Sequence, residues 1–166
     1  MPEYRNAYDV LGPILSKLIK KHHYELDEAG VTVESLWAVG ELKHHGYPAA
    51  AVIKIMSQEQ RAAGSSDCRL KVSLEVWDEA TDMQREALLM HELEHLVLLR
   101  EENGAVKTDD CHRPRLKCKL HDWELGGFAS IAERYGDDAM EVRAARQVVG
   151  EFGQILFPWM ATEAVA

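Results

Sequence analysis

Between residues 87 and 99 the chain reads Ala-Leu-Leu-Met-His-Glu-Leu-Glu-His-Leu-Val-Leu-Leu, an apolar run broken only by His91, Glu92, Glu94 and His95. This stretch constrains the fold more than any other. Positions four apart lie one above the other on a helix, so His91 and His95 share a face. Two imidazoles so placed can hold one zinc ion, leaving Glu92 beside it to take a proton from water.

An H-E-x-x-H pattern also arises by chance, and a satisfied pair of core histidines is the plain alternative. Context favours the metal. A chance match belongs on a solvated helix with polar flanks, whereas here four apolar residues precede the motif and four follow. Burying two imidazoles and a carboxylate without partners would cost a few kcal/mol per group, a cost that a metal and its water remove. Thr81 followed by Gln84 has the form of a capping box and sets the helix start, and Asn103-Gly104 is its expected stop, which places the motif in mid-helix.

At 166 residues the chain is expected to form a single domain, with its core over about residues 6–157 and a loose tail over 158–166. A net charge of −9 argues against nucleic acid and against an anionic membrane surface as partners. No stretch is long and apolar enough for a membrane span, and the first residues lack a signal core, so the expected location is the cytoplasm. Three cysteines do not suggest a disulfide framework. Cys68 reads as an inward strand residue, and Cys111 and Cys118 read as free thiols in preference to a second metal site.

Along the chain, residues 8–26 form an amphipathic helix with Val10, Leu11, Ile14, Leu15, Leu18 and Ile19 on one face, and Gly30 marks the turn beyond it. Residues 33–42 read as a strand stopped by the loop 43–48. Residues 49–56 fit either a strand or a helical turn. The clearest strand is 68–76, where Cys68, Leu70, Val72, Leu74 and Val76 alternate with polar residues, and 77–80 turn the chain into the motif helix. A polar connection over 105–114 leads to a short strand at 115–120. A helix from Asp122 carries Leu125, Phe128, Ile131, Ala132 and Tyr135 and stops at Gly136. A last helix runs from about 137 to 157 and ends at Pro158, with Val142, Ala145, Val148, Val149, Phe152 and Leu156 as its apolar face.

A catalytic zinc usually takes a third protein ligand and keeps one position open. His121, just before the presumed cap at Asp122, and Glu124, in the following turn, compete for that role. Asp122 is placed to orient a ligating imidazole.

Asp67 leading into a strand, Trp77, the run from Gln84 to His95, Pro114 to Lys117, His121-Asp122 and Glu133 to Gly136 together resemble the putative phage metallopeptidase family. The resemblance extends from the first helix to about Gly136. It implies an α+β, zincin-like domain: a small mixed sheet packed on the motif helix, with further helices at both ends. It favours His121, which matches the family's His-Asp step. Glu124, four residues before Phe128-Ala129, is also similar to the ligand glutamate of small gluzincins related to the IrrE peptidases. A SprT-like peptidase acting on DNA-bound proteins is a more distant likeness that the acidic charge does not favour. A phage or prophage origin, and hence a bacterial host cytoplasm, follows from the resemblance alone.

The expected activity is zinc-dependent hydrolysis of peptide bonds, with Glu92 as general base and an extended peptide or protein substrate paired to the edge of the 68–76 strand. Tyr135 or Arg134 could stabilise the oxyanion, although Tyr135 is better explained as core. The rival is a non-catalytic, zinc-stabilised binding protein in which His121 and Glu124 both close the site. The sequence carries no sign of oligomeric state.

Overall fold

A computed structural model describes residues 1–121 and 127–152, with side chains described up to Gln147. The architecture is α+β, in two compact units, Met1–Leu120 and His121–Ala166.

The first unit opens with strand β1 (Glu3–Asn6), which every sequence signal misses because all four of its residues are exposed. Helix α1 (Tyr8–His22) buries Leu11, Leu15, Leu18 and Ile19 and ends on Lys20, Lys21 and His22, cations suited to a helix C-terminus. It does not run on to residue 26. The chain breaks at His23 (φ −130°, ψ 46°) and restarts as α2 (Tyr24–Glu28), and Gly30 turns at φ +70°. Next come β2 (Val33–Val39) and a small hairpin, β3 (Lys43–His44) with β4 (Tyr47–Pro48), whose tip residues His45 and Gly46 both take positive φ. Residues 49–56 resolve as a strand, β5 (Ala51–Ile55), followed by the capped helix α3 (Gln58–Ala62).

The strand expected over 68–76 is shorter. β6 (Cys68–Ser73) buries Cys68, Leu70 and Val72 and then stops, because the Ser73 hydroxyl accepts a hydrogen bond from the Val76 amide at 3.4 Å and caps α4 (Leu74–Glu79). Leu74 and Val76 continue the alternation in sequence but lie on a helix. In the sheet the order is β1-β2-β6-β5, with β2 and β6 parallel and the other pairs antiparallel. β6 is thus an interior strand. It has no open edge for a peptide, and the expectation that it would receive one is corrected.

Helix α5 (Asp82–Glu94) starts where the capping box puts it. The Thr81 hydroxyl accepts from the Gln84 amide (3.3 Å), and the Gln84 side chain accepts from the Thr81 amide (3.1 Å). Ala87, Leu88, Leu89, Met90 and Leu93 are buried, and α5 packs against β5 and α1. Its end departs from expectation. The helix stops at Glu94, and Leu96–Leu98 form β7, antiparallel to β8 (Leu116–Cys118), so the motif closes the helix instead of lying in its middle. Asn103 and Gly104 belong to the turn of the following meander, which continues through the bridges Arg100–Val106 and Thr108–Pro114. An apolar run without clear period cannot distinguish a helix from a buried strand, and here pairing with β8 decides.

A buried ionic cluster pins that meander to the sheet. Arg61 reaches Asp109 at 3.0 Å and Asp67 at 3.6 Å, and Arg113 reaches Asp67 at 2.9 Å. The second Asp67 oxygen accepts from the amide and the hydroxyl of Thr32, both at 2.8 Å. Arg61 donates to the Pro114 carbonyl (3.0 Å), and Arg113 to the carbonyls of Ser65 (2.9 Å) and Arg61 (3.1 Å).

In the second unit, α6 (Ala129–Tyr135) is preceded by non-helical Gly127 and Phe128, so this helix does not extend back to Asp122. Gly136 ends it at φ +52°, as its sequence position suggests. A 3-10 turn (Gly136–Asp138) precedes α7 (Met140–Phe152), which therefore starts three residues later than expected. Phe128, Ile131, Tyr135, Ala139 and Ala145 are buried. Burial of Tyr135 agrees with its core role. The side chains of Val148, Val149 and Phe152, and all of Leu125, Leu156, Pro158 and the tail, lie outside the described residues.

Candidate metal centre

His91 and His95 come from the last turn and the C-cap of α5. One helical turn separates them, and their ring centroids lie 5.3 Å apart at 75°. Each offers a nitrogen within 4.8 Å of the other's, a spacing that one ion can bridge. Both rings are half-buried.

The orientation of His95 is set by the main chain. Its Nδ1 lies 2.7 Å from the Lys119 carbonyl oxygen, just beyond β8. A carbonyl only accepts, so Nδ1 carries the proton and Nε2 is the nitrogen that bears the lone pair, the tautomer that a metal ligand needs. The Lys119 amide in turn donates to the His95 carbonyl at 2.8 Å, so one ring and one main-chain hydrogen bond lock these residues together. Burial lowers the His95 pKa, and the nearby His91 and His44 add to the effect against an opposing push from the Lys119 hydrogen bond. The lowered value favours the neutral imidazole that a metal needs.

Glu92, between the two histidines in sequence, is buried at 5 % exposure. Its Oε2 accepts a hydrogen bond from the Ile53 amide on β5 at 2.7 Å. Two further groups border this region. Cys118 Sγ lies 3.8 Å from His95 Nδ1, and Lys119 Nζ reaches Glu94 at 3.5 Å. Cys111 and Cys118 are free and exposed, in a turn and on β8, and among the described residues neither belongs to a metal-ligating group.

His121 is the first residue of the second unit. It is exposed, with its ring 5.1 Å from that of Phe128. Asp122 and Glu124 lie outside the described residues. The groups that sequence reasoning missed are both main-chain ones, the Lys119 carbonyl and the Ile53 amide. No side-chain pattern announces a backbone contact made across 24 or 39 residues of sequence.

The donor set fits a divalent metal. Two imidazoles, one of them held in the ligating tautomer, share the end of α5 with a buried carboxylate, a set that can hold a divalent metal. Among the described residues no helix is long and apolar enough to cross a membrane. A family model described as "Putative phage metallopeptidase" matches residues 3–152, which carries the likeness past Gly136 to the end of α7. No curated protein and no solved structure matches the chain.

Proposed function

We propose that this chain, which belongs to the putative phage metallopeptidase family, is a zinc-dependent peptidase in which His91, His95 and His121 hold the metal and Glu92 is the general base. The family implies a metal and a protein or peptide substrate. The observation that carries the finer reading is the fixed tautomer of His95, which puts the lone pair on Nε2, one helical turn from His91 on the helix end that also carries the buried Glu92.

His121 is preferred as third ligand because it follows Lys119 by two residues. Chain length keeps its backbone within about 7 Å of the residue that clasps His95. Glu124 is the alternative, and Asp122 the candidate to orient His121. On this reading residues 1–166 work as one domain.

When bound, zinc supplies Lewis-acid chemistry, lowering the pKa of water and polarising a carbonyl. The chain supplies the rest. His95 is held in register by Lys119. Glu92 accepts a proton from the attacking water and delivers it to the leaving amine. The sheet offers two edge strands, β1 and β5, and β5 is the one packed on α5 and bonded to Glu92. An extended peptide paired with the outward groups of β5 that flank Ile53, whose own amide is taken by Glu92, would therefore lie against the base.

The test is zinc content by mass spectrometry for the wild type and Glu92→Gln, with cleavage of an unstructured protein measured on the same samples. One zinc per chain in both is expected, with turnover reduced by roughly 10²- to 10⁴-fold in Glu92→Gln. Zinc in both and cleavage in neither supports the metal-stabilised binding protein instead. Loss of zinc affinity in His121→Ala but not in Glu124→Ala assigns the third ligand, and the reverse pattern assigns it to Glu124.

A further inference from the structure

The amide of Ile53 occupies an unusual place in β5. In the antiparallel pairing with β6, Ser73 donates to the Ala50 carbonyl and Met56 donates to the Asp67 carbonyl, both at 2.8 Å. Ladder bonds in such a pair fall on alternate residues. Val52 and Lys54 therefore turn their amides toward β6, and Ala51, Ile53 and Ile55 turn theirs outward, to the edge of the sheet. Outward amides on an edge strand are ordinarily left to water or to another chain. At Ile53 the partner is Glu92 Oε2 at 2.7 Å, and both residues are buried.

We propose that Ile53 is a positioning residue for Glu92: its main-chain amide fixes the plane of the carboxylate, so that the base is set in place before substrate arrives. This rests on the peptidase reading. A glutamate side chain has three rotatable bonds, and holding it in one geometry has an entropic cost. A charge-assisted bond from a rigid strand meets that cost during folding, not during the reaction. The bond also ties the base to the edge strand. A displacement of β5 on peptide binding would be felt directly at the carboxylate.

Two measurements test this on the full-length protein. Hydrogen exchange read by NMR on the metal-free protein compares Ile53 with Val52 and Lys54. In Glu92→Ala the Ile53 amide is expected to lose protection by about tenfold or more, while the two ladder-bonded neighbours keep theirs. An unchanged Ile53 overturns the proposal. The second measurement removes the donor. Ile53→Pro deletes an amide outside the ladder. Replacing Ile53 by its α-hydroxy acid analogue does the same without proline's backbone restriction, which covers the case of a proline variant that fails to fold.

The expected result for the folded variant is one zinc per chain, a kcat reduced about ten- to a hundredfold, and an unchanged KM. An unchanged kcat overturns the positioning role. A wild-type protein that binds zinc and cleaves nothing overturns the peptidase reading and this role with it. Normal protection of Ile53 in that sample tells this outcome apart from failure of the hydrogen bond itself.

Discussion

At the start of β6, Arg61 and Arg113 meet Asp67 and Asp109, while the end of α5 carries His91, Glu92 and His95, with Glu92 bonded to β5. Both groups place polar side chains away from bulk water in the first unit. They differ in chemistry. The ionic cluster contains equal numbers of guanidinium and carboxylate groups, with Thr32 and the carbonyls of Arg61, Ser65 and Pro114 adding hydrogen bonds to it. The α5 group has two imidazoles and a carboxylate, residue types that can hold a divalent cation. A cluster that neutralises itself holds the fold together. A cluster of donors invites a ligand.

The largest expected effect breaks the second region alone. In His91→Ala/His95→Ala, zinc content should fall from one per chain to none, and cleavage with it. The metal-dependent stabilisation disappears as well, about 4 kcal/mol at free zinc a thousandfold above Kd. Thermal unfolding with and without a chelator reads this directly: the wild type shifts and the variant does not. Zinc retained by the double variant would show that the motif is not the site.

The converse variant strikes the first region. Asp67→Asn leaves Arg61 and Arg113 facing a neutral group at a position 1 % exposed. Removing one partner of a buried ion pair costs about 3–5 kcal/mol, and the low end is expected here because each arginine keeps other acceptors. Urea unfolding of the metal-free protein measures it. The folded fraction should still bind one zinc, and with zinc present the two losses should add in the triple variant within about 0.5 kcal/mol, as for sites that share no partner. A large coupling would mean that the cluster and the metal site are one unit.

A smaller effect appears in acid. The Asp109 carboxyl is held below its ordinary value of 3.8, chiefly by the Arg113 amide, with the Cys111 amide and the charges of Arg61 and Arg113 adding to it. A depressed folded-state pKa gives stability that is present above the unfolded value and is lost as pH falls through the folded one. Asp109→Asn should therefore destabilise the protein at pH 6 and lose that difference progressively below about pH 4. Denaturant midpoints at the two pH values check it, and a difference that persists undiminished in acid would exclude the carboxylate as its source.

The same contrast explains what was legible in the sequence. The start of α5, its capping box and the shared face of His91 and His95 are local, and local periodicity reveals them. Its end was misplaced because Leu96, Val97 and Leu98 read equally well as more helix, and only the distant Leu116–Cys118 strand makes them β. β1 was missed because four exposed residues carry no hydrophobic alternation. The overrun of β6 into Leu74 and Val76 followed a true alternation that Ser73 interrupts with a single hydroxyl. The ionic cluster was illegible for a further reason. Arg61 and Arg113 are 52 residues apart, and nothing about a lone arginine says which carboxylate it will meet.

The free cysteines sharpen the comparison with its smallest expected effect. Cys68 adjoins Asp67, is fully buried, and has its thiol pushed up to about 12 by burial, with the Asp67 charge adding to it. In the native metal-free protein at pH 8 it should be silent to a thiol reagent, and only Cys111 and Cys118 should titrate. Asp67→Asn then speeds Cys68 labelling by about a hundredfold, the factor expected if reaction follows opening in a protein destabilised by about 3 kcal/mol. Cys118 reports on the other region. Burial raises its thiol, and the Glu92 charge raises it further. It should react more slowly than exposed Cys111, and Glu92→Gln, which removes that charge, should quicken Cys118 by about twofold while leaving Cys68 and Cys111 unchanged. If Glu92→Gln instead quickened all three thiols, Glu92 would be supporting the fold as a whole, and the division between a cluster that stabilises and a cluster that binds would fail.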